Sequence, residues 1–276
     1  MRVDRNWKDL MDQAFADGKF LCVGIDPNYD PRWEDASNLV KDEITAELMR
    51  FCISKIRAIG LITGFLKPNA GFFRQYGWRG QRVLEEVIAY THRQFPNVAV
   101  ILDMKVGDIG DTNLAYCREA FDELAADAIT IHPYLGKIAN QPFLNYTKKG
   151  IIVLCHTSNH GAQEFQHLHV GENDPLYLRV AENVATRWNE YGNCALVTGA
   201  TYPQEIAQVR QVASEIPLLI PGIGKQGGDL KAAVTAAKRA RDGAGFIINS
   251  SSGIFLASDL QKAAEDLHMA ILNARH

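Results

Sequence analysis

A chain of 276 residues with 47% apolar composition can bury a large core, and a single α/β barrel of roughly 250 residues is an ordinary outcome at that length. A formal net charge of −3 and the lack of any long Lys/Arg run exclude the clustered basic face that a nucleic-acid surface needs. Cys22, Cys52, Cys117, Cys155 and Cys194 form no CxxC pair and fit reduced core thiols in a cytoplasmic protein; no stretch of about 18 apolar residues offers a membrane span.

Residues 1–18 are charged and amphipathic and lack the apolar stretch of a secretion signal, so a short helix is expected before the first strand. Apolar runs bounded by Gly, Pro, Asp or Asn then follow at 20–25, 61–66, 98–102, 128–131, 151–154, 194–198, 217–220 and 245–248. Near-continuous apolar strands of this kind suit a parallel sheet buried on both faces. Between them lie segments such as 39–59, whose apolar residues recur every three or four positions and predict helices. Eight such β-then-α units, with no Gly-rich dinucleotide fingerprint after the first strand, predict one (β/α)8 TIM barrel spanning 1–276; an open doubly wound sheet is the alternative. The polar segment 159–176 is expected to be a connecting loop.

In a barrel, the residues that follow each strand gather on one rim, where barrel enzymes carry their chemistry. In chain order this rim collects Asp26 and Asn28, Lys67 and Asn69, Asp103, Lys105 and Asp108, His132, then Thr157, Ser158 and Asn159. It continues with Gly199 to Thr201, the glycine-rich 221–228 ahead of a helix expected near Asp229, and Asn249 to Gly253. Alternation along an extended strand would send Asp103 and Lys105 to the same side, and Lys67 reaches them from the neighbouring strand. Clustered buried charges are poor stabilisers, so a chemical role is the better reading. A carboxylate beside a substrate carboxylate destabilises the bound acid, while an adjacent ammonium stabilises the charge left on carbon and can donate a proton. That chemistry is decarboxylation, and it needs neither a metal nor an organic cofactor if remote groups position the substrate tightly. Glycine-rich turns at 222–228 and 249–253 are where barrels hold phosphate through backbone N–H groups.

The segment ILDMKVGDIGDT at 101–112 occurs together with CVGIDPN at 22–28, FLKPN at 65–69, TSN at 157–159, VTGATYP at 197–203 and PGIGKQGGD at 221–229. Together they resemble the orotidine 5′-phosphate decarboxylases, and most closely the longer bacterial subfamily. The resemblance runs from about residue 18 to residue 258 in the family's own order. It implies that Lys105 protonates C6 of the pyrimidine within an array of Lys67, Asp103 and Asp108, without a cofactor or metal. It also implies a homodimer in which Asp108 and Thr112 cross the interface, with Asp26 and Lys67 on ribose and Ile109 lining the base pocket. Ser158 is expected at the pyrimidine edge, Gln226 between base and phosphate, and Pro221, Lys225, Ser251 and Ser252 around the phosphate.

Three positions depart from the family's pattern. Val106 stands in place of an arginine and should point away from the barrel interior; His160 replaces a proline and alters a loop. Ser252 occupies the place of the phosphate-binding arginine, removing a charge-assisted contact worth about 1.5–3 kcal/mol. Either Lys225 in the opposing loop supplies part of that charge, or the chain is a nucleotide-binding relative with reduced or lost turnover. Two other enzyme readings compete: a class I aldolase using Lys67 or Lys105 as a Schiff base, and a metal-dependent hydrolase built on His132, His156, His160 and the aspartates. The histidines show no H-x-H or HExxH spacing, and a rim histidine is more often hydrogen-bonded than ligating.

Overall fold

The computed structural model describes residues 5–171, 174–224 and 227–275. Its strands are β1 Leu21–Ile25, β2 Phe65–Pro68, β3 Ala99–Val106, β4 Ala128–Ile131, β5 Gly150–His156, β6 His169–Val170, β7 Asp174–Pro175, β8 Cys194–Thr198, β9 Leu218–Pro221 and β10 Phe246–Ser250. Strands β6 and β7 pair only with each other, antiparallel, and the remaining eight close into a parallel barrel in the order β1-β10-β9-β8-β5-β4-β3-β2. A helix follows each barrel strand, which is the (β/α)8 arrangement the run spacing predicted. Every residue of β1, β2, β4, β8 and β10 is buried, as strands covered by side chains inside and helices outside must be. Among the described residues, no helix is long and apolar enough to cross a membrane.

Aromatic residues close the end of the barrel at which the strands begin. Phe20 precedes β1, Phe65 starts β2 and Phe246 starts β10; Phe20 stacks on Phe246 at 4.7 Å and on Phe15 at 5.4 Å. The expected N-terminal helix, Trp7–Ala16, carries Phe15 and Trp7 onto this floor. Trp7 fits because β5 begins with glycine: a Cβ on Gly150 would lie 2.6 Å from the indole. Arg5 fastens the helix start, reaching Asp127 through Nε at 2.8 Å and through its terminal nitrogen at 2.9 Å, and the carbonyls of Pro96 and Val98.

Several element boundaries differ from expectation for identifiable reasons. The second strand starts at Phe65, four residues into the apolar run 61–66, because Ile62 and Thr63 bond back to the Ile59 carbonyl and finish the preceding helix, Asn38–Ile59. An apolar run alone does not separate a helix end from a strand start. Strands β3 and β5 extend past the apolar runs into the polar rim, to Val106 and His156. Segment 159–176 is more than a connecting loop, holding a turn at His160–Ala162, a short helix at Gln163–Gln166 and the β6–β7 pair. The Gln166 amide ties it back to the barrel, with 2.8 Å bonds to the Thr157 N–H and hydroxyl. The helix expected near Asp229 is Leu230–Ala237, capped by the Asp229 carboxylate.

Candidate active site

Strand ends bring Lys67, Asp103 and Lys105 together. Asp103 accepts from Lys67 Nζ at 2.6 Å on one carboxylate oxygen and from Lys105 Nζ at 2.5 Å on the other. Lys67 and Asp103 are buried, while the Lys105 side chain is 49% exposed. Burial alone would raise the Asp103 pKa, but the two ammonium groups outweigh it and hold the carboxyl well below the usual carboxylate range. For Lys67 burial works against the charge, yet Asp103, Asp26 and Cys22 keep its pKa above the ordinary lysine value. An ammonium so stabilised is a poor Schiff-base former, which requires a neutral amine, and this weighs against Lys67 in the aldolase reading.

The reason for the Asp103–Lys105 encounter differs from simple alternation. Lys105 has φ of 49°, the left-handed region, and the β3–β4 register shifts between Leu102 and Val106. Thr130 of β4 holds this irregular strand end: its hydroxyl accepts the N–H groups of Met104 at 3.1 Å and Lys105 at 3.0 Å, and donates to Asp103 at 2.9 Å. The turn so fixed returns the lysine chain to the carboxylate it had just passed. Thr130 was not singled out in the sequence, although it is the only polar residue in the run AITI and is only 2% exposed. Val106 packs partly buried against the core and takes no part in the ion pairs.

Asp26 follows β1. Burial raises its pKa by more than Lys67 and the neighbouring Ser251 hydroxyl lower it, and its Oδ1 is buried without a hydrogen-bond partner. The close approach of Ser251 depends on Gly24, where a Cβ would lie 1.9 Å from the Ser251 Oγ. Burial pushes the nearby Cys22 thiol up to about 12, so it is inert as a nucleophile.

Asp108 does not join the array within the chain. Its Oδ1 accepts the Ile109 N–H at 2.7 Å, and among the described residues it has no ion-pair partner. Asn113, fully buried and also missed in the sequence, fixes this loop by bonding the Asp108 N–H at 2.8 Å and carbonyl at 2.6 Å. The loop therefore projects Ile109, 64% exposed, and Thr112 outward.

Across the rim, Ser158 lies against Gly199, where a Cβ would come within 2.7 Å of its Cα. Pro221 ends β9, and Gly222 and Gly224 take positive φ of 106° and 98° into the glycine-rich turn. Lys225 and Gln226 lie outside the described residues. Ser251 and Ser252 sit where β10 passes into the short helix Ser252–Phe255. His132 is hydrogen-bonded, its Nε2 3.0 Å from the Gly107 carbonyl, and His160 is exposed. The metal-capable group among the described residues comprises His156, His167 and Glu205; of the histidines in the hydrolase reading it contains His156 alone, and it contains none of the aspartates.

A family model described as "Orotidine 5'-phosphate decarboxylase / HUMPS family" matches residues 19–267. The orotidine 5′-phosphate decarboxylase of Aromatoleum aromaticum is 44% identical over 256 residues, covering 92% of this chain and 91% of that protein. That of Dechloromonas aromatica is 41% identical over 255 residues with the same coverage of 92% and 91%. Among solved structures, OMP decarboxylase from Leishmania donovani superposes with a TM-score of 0.87 at 38% identity, over 98% of both chains. UMP synthase from the same organism gives 0.89 at 40% identity, over 98% of this chain and 57% of that one. With a family-model match over residues 19–267 and relatives more than 40% identical over nine-tenths of its length, the chain belongs to the orotidine 5′-phosphate decarboxylase family.

Proposed function

We infer that this chain converts orotidine 5′-phosphate to uridine 5′-phosphate in pyrimidine biosynthesis, in the cytoplasm and within one barrel domain, with Lys105 as the proton donor. The observation that carries this reading is Asp103, buried, ionised and clamped between two ammonium groups. With both oxygens engaged and its pKa depressed, Asp103 is unsuited to accept a proton and acts through its charge. It stands against the substrate carboxylate and raises the energy of the bound acid. When the bond from C6 to the carboxylate breaks, carbon dioxide leaves and the electron pair stays on C6. The Lys105 ammonium stabilises that charge and transfers its proton to C6, and its half-exposed side chain recovers a proton from water. The scheme draws on no cofactor or metal.

The remaining roles follow the rim. Asp26, with a buried oxygen lacking a partner, and Lys67 take the ribose hydroxyls; Ile109 and Ser158 contact the pyrimidine. Pro221, Ser251 and Ser252 border the phosphate, with Gln226 bridging base and phosphate and Lys225 supplying the charge that Ser252 does not. The chain works as a homodimer, each Asp108 and Thr112 completing the partner's site. Support for this comes from the outward loop, pinned by Asn113, and from the lack of a described cation beside Asp108.

The test is the absorbance change on mixing the chain with orotidine 5′-phosphate without added metal or cofactor, using Lys105→Ala as control. Turnover by the wild type and loss of at least about a thousandfold in the variant is the expected result. Identical behaviour of the two sinks the reading. Ser252 favours one second reading, a binding relative; it predicts saturable uridine 5′-phosphate binding with no absorbance change in either chain.

A further inference from the structure

Three side chains far apart in sequence meet beyond the catalytic array. His156 ends β5, His167 follows the short helix Gln163–Gln166, and Glu205 lies in the helix Pro203–Val212. One ring nitrogen from each histidine and one carboxylate oxygen all lie within 4.8 Å of one another. We propose that His156, His167 and Glu205 form a binding site for a divalent transition metal of the zinc type.

The ligand set is two imidazoles and a carboxylate, a combination zinc accepts with water in the fourth position. The two Nε2 atoms stand 2.8 Å apart, in an N–H···N contact. Two nitrogens on one tetrahedral zinc, at bond lengths of about 2.0–2.1 Å, are roughly 3.3 Å apart, so entry of the ion opens the pair by only about half an ångström. His156 is 1% exposed, so its ring is held within the protein, and its Nδ1, the nitrogen not facing His167, is buried without a hydrogen-bond partner. Tyr177 and Tyr202 flank the ring edge-on at 4.9 and 4.7 Å, fixing its plane. Glu205 is half-buried and, among the described residues, has neither an ion-pair partner nor a hydrogen-bond donor on its carboxylate.

Such an ion would join three pieces of chain at the end of β5: the strand itself, the segment 160–167 and the helix Pro203–Val212. Ser158, assigned to the pyrimidine edge, lies two residues beyond His156, and Gln166, beside His167, already holds Thr157. The metal therefore has a positioning role and takes no part in bond breaking. The site itself does not depend on the decarboxylase reading.

Titration of the full chain with Co²⁺, followed by visible d–d absorption, and with Zn²⁺, followed by thermal unfolding, tests the site. One equivalent of Co²⁺ should give the intense bands of four- or five-coordinate cobalt. Zinc at about a hundredfold above Kd should raise Tm by roughly 5 °C. Both responses should be lost in His167→Gln and in Glu205→Gln, whose partly exposed side chains leave the fold intact by circular dichroism. Absence of stoichiometric binding in the wild type, or binding unchanged in both variants, overturns the proposal.

Discussion

Replacing Thr130 by valine keeps the side-chain shape and removes one hydroxyl, which engages the Met104 and Lys105 amides and the Asp103 carboxylate at 3.1, 3.0 and 2.9 Å. The bond to an ionised carboxylate is worth about 1.5–3 kcal/mol, and each amide bond about 0.5–1.5 kcal/mol net. The same bonds hold Lys105 at φ 49°, a conformation that costs a residue with a side chain roughly 1–2 kcal/mol. With partial relaxation, a stability loss of about 2–4 kcal/mol follows, read as a lower midpoint in urea unfolding. The functional consequence is sharper. Once the strand end relaxes, the Lys105 ammonium loses its defined place beside Asp103, and kcat should fall about 10- to 100-fold, equal to about 1.4–2.7 kcal/mol of barrier. KM should move by less than about threefold, because Thr130 reaches no substrate group in this scheme. Thr130→Ser restores the hydroxyl and should recover most of kcat, an outcome a merely structural role in packing would not produce. If Thr130→Val keeps kcat within about twofold of wild type while folding normally, the proposed positioning of Lys105 is wrong.

At the phosphate end, Ser252→Arg should lower KM at least about tenfold and Lys225→Ala should raise it by a similar factor; steady-state kinetics with both variants unmoved would place the phosphate elsewhere. Burial raises the Asp127 pKa, but hydrogen bonds from His92 and Arg5 outweigh it and hold the carboxyl at about 2. Because this folded value lies below the unfolded one, near 3.9, Asp127 contributes about 2–3 kcal/mol that is fully present above about pH 5 and lost as pH falls toward 2. Urea titrations of wild type and Asp127→Asn from pH 7 to pH 2.5 should therefore show a stability gap that narrows below pH 4, and a constant gap would contradict the assignment.

Much of the architecture was legible in residue order. Strands buried on both faces must be almost wholly apolar, so eight such runs separated by helical periodicity favour a parallel barrel over an open sheet, and the barrel puts the residues after each run on one rim. Lys67, Asp103 and Lys105 could be grouped on that basis because they lie on neighbouring strands. The resemblance added the substrate, which charge patterns alone do not name.

Other features depended on contacts between distant segments. Alternation placed Asp103 and Lys105 correctly for an incomplete reason, since Lys105 leaves the extended conformation and its position is set by a threonine on the next strand. The path of the loop at Asp108 is set by Asn113, which bonds the Asp108 N–H and carbonyl and reaches the Ala139 carbonyl of the following helix, a contact that residue order does not show. The His156, His167 and Glu205 cluster has no readable spacing, because the ligands come from a strand, the segment after it and a helix beyond the next strand. Periodicity and local turn chemistry thus determined which elements form and which residues reach the rim. Which charges touch, which turn outward and which histidines meet were decided by tertiary packing, since those distances are set by side chains far away in the chain.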